Sequence, residues 1–231
     1  MCGSLNMDSS PNFPPVKGVD ANGIENQGET HPLSMILQKN TRELRNRGSR
    51  FSKLATLLES FADLAASATA IPSANWVDDE ALVDKICTTG HSALSLPRCK
   101  GPHGLLLKDE IQYEAIRIAC LLFVIGLVLR LSGEKDMLLD QVGRLPTLLK
   151  SKAINWKGLE ELEMWVYVVA ARIEEGDDRQ WLVARICEKF KARKMSVMAL
   201  KQTLRDISWA EEAMDEEMSD LEAEVKARLR Q

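Results

Sequence analysis

Two cysteine and histidine pairs lie close together: Cys87 with His91, and Cys99 with His103, three residues intervening in each pair. Two thiolates and two imidazoles are the donors that tetrahedral zinc prefers, so the stretch raises a metal-binding question. The interval between the pairs is shorter than in common zinc modules. It also runs through TTGHSALSLPRCKGPHG, a string of turn formers that predicts a loop. Ordinary loop residues are the preferred reading, and no metal ligand is assigned.

Other catalytic signatures are missing from the sequence. There is no G-x-S-x-G, no H-E-x-x-H, no phosphate-cradling G-x-x-x-x-G-K-S/T and no G-x-G-x-x-G after a strand. His91 and His103 fall in one predicted loop, and no Cys or Ser stands out as a nucleophile for them to activate. The sequence therefore assigns no catalytic residue and no cofactor, and predicts that the chain is not an enzyme.

Three further groups have a functional and a structural reading. Lys39, Arg42, Arg45, Arg47, Arg50 and Lys53 form a basic cluster able to touch phosphates or act as a nuclear import signal, but such runs are more often a solvated helix face. Its one interleaved aromatic is Phe51, too little for a base-stacking platform. Between Glu211 and Glu224, eight acids interleave with Met214, Met218 and Leu221, as in acidic activation segments; a terminal amphipathic helix packed by that apolar stripe is the preferred reading. Trp165, Trp181 and Trp209 can line a ligand pocket, although tryptophan at helical spacing is usually core.

The elements that must position these residues are helical. Leu, Ala, Met, Glu and Lys dominate, aromatics are only 5% of the chain, and β-branched alternation is scarce, so the fold class is all-α. Residues 1–33 are rich in Gly, Pro, Ser and Asn and carry no sustained apolar period, which predicts a disordered tail before a single domain over 34–231. One or two helices span 34–70, with Gly48 as a possible kink, and Asp78 or Asp79 caps a short helix ending near Cys87. IACLLFVIGLVL, residues 118–129, is apolar on every face and reads as a central core helix, with Arg117 and Arg130 snorkelling or paired at its ends. MWVYVVAARI and the helix bearing Trp181, Leu182, Val183, Ile186 and Phe190 form a hairpin about a GDD turn. Ser196 caps a helix with Val197, Leu200, Leu204 and Ile207 inward.

Composition narrows the function classes. The central run has twelve apolar residues, against about 20 needed to span a bilayer, and Glu110, Glu114, Glu134, Lys135 and Asp136 flank it. A net charge of −4 argues against a dedicated nucleic-acid binder. Five scattered cysteines, an odd number, suit a reducing compartment, the nucleus or the cytoplasm.

From Tyr113 onward the chain resembles the C-terminal regulatory domain of fungal-specific transcription factors that carry a zinc binuclear cluster. The resemblance rests on YEAIRIACLLFVIGLVLRL, LLKSKAINW, LEELEMWVYVVAARIEEGDDRQWLVARI and LKQTLRDISW. It implies framework roles for Glu114 and Arg117, for Trp165 with Ala170 and Ala171, and for Arg179 and Trp181. The zinc cluster of that family needs six closely spaced cysteines, and five spread along this chain do not supply them. The function implied is a nuclear regulatory module that binds other proteins, transcriptional regulators among them, without autonomous DNA recognition. The alternative is a small-molecule sensor or carrier with its pocket between the central helix and the Trp-bearing hairpin.

Overall fold

The computed structural model describes residues 32–99, 107–132, 143–151 and 154–230. Residues 1–31 of the expected tail lie outside these, whereas Leu33, placed in the tail from sequence, packs against the core. Among the described residues there are nine α-helices, one 3-10 turn and no strand, so the fold is all-α.

Local chemistry sets the helix limits. α1 (Met35–Asn46) starts at Ser34, whose hydroxyl accepts the Leu37 N–H at 3.0 Å. Gly48, at φ +118°, separates α1 from α2 (Ser49–Ala70), so the expected kink is a complete break. A 3-10 turn (Ser73–Asn75) leads to α3 (Glu80–Leu94), where the Asp79 carboxylate accepts the Leu82 N–H at 2.8 Å. The predicted loop after Cys87 is corrected here, because residues 88–94 continue α3. Gly90 looks like a turn former in sequence, but its bareness serves packing: a Cβ there would stand 3.2 Å from Val124 Cγ1 of the central helix.

The second half adds α4 (Lys108–Ser132), α5 (Arg144–Leu149), α6 (Glu160–Ile173), α7 (Gly176–Arg193), α8 (Val197–Ile207) and α9 (Glu211–Leu229). Pro146 is tolerated in the first turn of α5, where its missing N–H would have no intrahelical partner. The hairpin of α6 and α7 turns through Glu174 and Glu175, close to its predicted place. Ser196 caps α8 as expected, accepting the Ala199 N–H at 3.1 Å, and Leu200, Leu204 and Ile207 point inward.

α4 packs against α2, α3, α5, α6 and α9, which confirms a central helix. Its enclosed stretch differs from the apolar run, however. Residues 112–124 are buried without interruption, and partial exposure returns at Ile125. Burial thus begins among polar residues, and Arg117 lies inside the core while Arg130 is exposed. α6 is a second axis, buried continuously over 162–171 and in contact with α1, α4, α7, α8 and α9. Phe123 of α4 ties the layers together, with ring centroids 5.3 Å from Phe61 and 5.7 Å from Trp165. Each such side chain contributes about 1.5–3 kcal/mol of burial free energy before its ordering entropy is subtracted.

Candidate functional site

The polar residues enclosed by α4 bind one another. Arg117 donates to both carboxylate oxygens of Glu114, from Nε at 2.8 Å and from Nη2 at 2.7 Å, and both side chains are buried. Arg144 of α5 adds a third bond to Glu114 at 2.8 Å. Burial pushes the Glu114 carboxyl up, but the bonds and charge of Arg117, with the charge of Arg144, outweigh it and hold the group below its ordinary value. A bidentate guanidinium is the partner best able to offset removal of a carboxylate from water.

The other residues matched by resemblance extend this frame. Trp165 is fully buried and donates its indole N–H to the Ser208 carbonyl at 2.7 Å, while the Ser208 hydroxyl donates to the Phe61 carbonyl at 3.0 Å. Ala170 and Ala171 are buried in α6. Arg179 donates to the Ala171 carbonyl at 2.5 Å and to Glu224 of α9 at 2.7 and 2.9 Å, so it clasps the end of α6 to α9.

Of the candidate zinc residues, His91 falls in α3 instead of the expected loop, whereas Cys99 lies beyond that helix in the loop. Cys87 and His91 are one turn apart on the outer face of α3, both exposed, while Cys99 is half-buried with its sulfur 4.0 Å from Arg50 Nη1. His103 lies outside the described residues. Burial, reinforced by Glu114 and Glu110, raises the Cys99 thiol. Among the described residues no group of three or more His, Cys, Asp or Glu side chains is placed to hold a metal ion.

Most of the basic cluster is occupied in holding helices together. Lys39 donates to both oxygens of Glu161 at 3.0 Å, Arg45 pairs with Glu59 at 2.6 Å and Arg50 with Glu110 at 3.4 Å. Arg47 joins three elements: it bonds Glu43 at 3.1 Å, Gln112 of α4 at 2.7 Å, and the carbonyls of Asn155 and Lys157 at 2.9 and 2.6 Å. In α9, Met214, Met218, Leu221 and Val225 are buried in one stripe, the packing expected of an amphipathic terminal helix.

The three singled-out tryptophans do not share a pocket. Trp165 sits in the core, Trp209 lies beneath the Arg172 guanidinium at 5.4 Å and borders a shallow hollow with Ala62, Ala65 and Arg205, and Trp181 faces a separate groove. That groove encloses about 440 Å³ between α5, residues 154–156, α6 and α7. It therefore lies on the far side of the hairpin from the predicted position against α4, where Phe123 and Trp165 fill the contact. Its apolar wall is Leu149, Ile154, Trp156, Tyr167 and Trp181, and its charged residues are Lys150, Glu163, Arg185, Glu188, Lys189 and Arg193.

Comparison of the chain with protein-family models, curated proteins and solved structures returns no match.

Function is therefore read from the residues themselves, and the groove holds those that sequence reasoning missed. Arg185, Lys189 and Arg193 recur every four residues along α7 and so share one face. Trp156 lies in a segment without helical period, and nothing local marks it as Trp181's neighbour. Glu163 is buried at the groove's base, 2.6 Å from Lys189 and 3.7 Å from Arg193. Desolvation raises its carboxyl, and the two bases only partly offset this. Burial, helped by Glu163, pushes the Tyr167 phenol up to about 12, so it stays neutral near physiological pH. No helix among the described residues is long and apolar enough to cross a membrane.

Proposed function

We propose that this domain is a regulatory module of the type found C-terminally in fungal-specific transcription factors. It acts through contacts with other proteins, transcriptional regulators among them, in the nucleus and without a DNA-binding zinc cluster of its own. The carrying observation is that the residues matched by resemblance serve the framework, apart from Trp181, which faces the groove. Glu114 and Arg117 form a buried ion pair, Trp165 bonds the Ser208 carbonyl, and Arg179 clasps Ala171 to α9. A sequence likeness spread over α4, α6 and α7 gains weight when its polar members bond one another or neighbouring helices, because a chance likeness of apolar runs would not require it.

The basic cluster is consistent with this reading. Its charges are largely committed to Glu161, Glu59, Glu43 and Glu110, leaving little field for phosphate backbones. The test is a tethering assay: the chain is fused to a heterologous DNA-binding domain and transcription of a reporter is measured, with a fluorescent fusion imaged in parallel. The expected result is nuclear accumulation and a reporter change of several fold that is lost in Glu114→Ala. A reporter indistinguishable from the DNA-binding domain alone, with fluorescence confined to the cytosol, overturns the proposal.

A further inference from the structure

The groove outside the α6 and α7 hairpin combines features that the framework does not use. Its cavity of about 440 Å³ lies within the range of small-molecule sites, roughly 300–1,000 Å³. Trp156, Tyr167 and Trp181 line it with aromatic surface, with Tyr167 and Trp181 at 6.1 Å between centroids and inclined by 46°. Two cations already rest on the Trp181 ring, Lys150 at 5.5 Å and Arg185 at 5.4 Å from its centroid.

The charge is locally inverted. Four bases line the groove against two acids, Glu163 and Glu188, in a chain whose net charge is −4. Asp178, just outside, pairs with Lys150 and still leaves one positive charge in excess. The guanidiniums also retain bonding capacity. Arg185 meets Glu188 through Nη1 at 2.6 Å, and Arg193 gives one bond to the Glu160 carbonyl at 3.2 Å while standing 3.7 Å from Glu163. Each guanidinium carries five N–H donors in a planar fork suited to a carboxylate, so these contacts do not exhaust either side chain.

We propose that this groove binds a small planar aromatic carboxylate, its ring lodged among Trp156, Tyr167 and Trp181 and its carboxylate on the base row Arg185, Lys189 and Arg193. The aromatic wall provides affinity for a flat ring, and the base row selects the anion over its neutral isostere. Glu163 does not oppose the carboxylate with a free charge, because Lys189 and Arg193 already face it. The site is independent of the protein-contact reading above and gives such a module an input for a metabolite.

The experiment titrates the full chain with three probes of one shape, indole-3-acetate, its neutral amide and the cation tryptamine. Calorimetry follows affinity, and the indole N–H resonances in NMR report location. Saturable one-site binding is expected, with the carboxylate at least tenfold tighter than the amide and tryptamine weakest. The Trp156 and Trp181 resonances should shift while that of Trp165, bonded to Ser208, stays fixed. Arg185→Glu should weaken the carboxylate at least tenfold, and Arg193→Gln serves as the second variant should the first lose its native fold. Equal affinity for acid and amide, no saturation by millimolar probe, or shifts centred on Trp165 would each overturn the assignment. So would binding confined to an acidic aromatic peptide, with indole-3-acetate silent.

Discussion

Replacing Glu114 by alanine tests the central energetic claim about α4. Glu114 is fully buried and Arg117 is 1% exposed, so the substitution leaves a guanidinium in the core with neither of its two carboxylate bonds. Orphaning one member of a buried ion pair costs about 3–5 kcal/mol. For a domain of about 200 residues each kcal/mol shifts the midpoint by about 2–4 °C, so the melting temperature should fall by about 6–20 °C. Arg144→Ala removes the exposed third partner, 41% accessible, and should cost about 1 kcal/mol or less. Glu114→Leu combined with Arg117→Met removes both charges and should cost less than Glu114→Ala alone, since no uncompensated ion remains. The assay is urea unfolding followed by circular dichroism, with wild type and the three variants compared side by side. The sign with pH is fixed as well. Glu114 is held below its ordinary value, so its stabilisation is complete above the usual glutamate range and fades as pH falls through the folded value. The gap between wild type and Glu114→Ala therefore narrows in acid. A loss under about 1 kcal/mol for Glu114→Ala, or a double variant less stable than the single one, would refute the reasoning.

Glu174 is buried with both oxygens on the Gly143 N–H at 2.9 and 3.0 Å, and desolvation, aided by Asp178, raises its carboxyl. Its ionised form costs stability as pH rises through the folded value, so Glu174→Gln should be more stable than wild type once pH is above that value, and thermal scans should show the advantage shrinking as pH falls towards the usual glutamate range. Gly126→Ala should raise stability by about 0.5–1 kcal/mol in chemical denaturation, because the new Cβ meets Arg172 at 3.5 Å, an ordinary contact, while the helix loses a flexible residue. Gly90→Ala should gain less or lose, its Cβ being 3.2 Å from Val124. With a disulfide reagent, exposed Cys87 should react in the native state, whereas Cys120 and Cys187, buried with raised thiols, should react only on unfolding.

Much of the helical plan is legible in the sequence because local signals and packing agree. Asp79 and Ser196 cap where an acid and a hydroxyl precede apolar periods, Gly48 breaks where no side chain tolerates the backbone, and Met214, Met218 and Leu221 pack as their spacing requires. Legibility fails where tertiary contact overrides local chemistry. Gly90 reads as a turn former but lets α3 approach Val124, so the helix runs on to Leu94. Arg117 reads as one of two paired or snorkelling ends of the apolar run but is buried, because Glu114 one turn away, itself bonded by Arg144 of α5, receives its guanidinium inside the core. The groove is partly readable: the base row of α7 has a helical period, whereas Ile154 and Trp156 reach it from a segment with none.

Ser34, at the start of α1, donates to the carbonyl of Asp206 at the end of α8, 172 positions along the chain, and α1 also packs on α6 and α8. A ribosome delivers α1 with only α2 at hand, long before the helices that cover its remaining face have been made. Final closure is thus a late event in synthesis, and the nascent chain carries unsheltered apolar surface until α8 emerges. Chaperone capture of the growing polypeptide, and the yield of the finished one, should accordingly depend on how fast the stretch from α6 to α8 is translated.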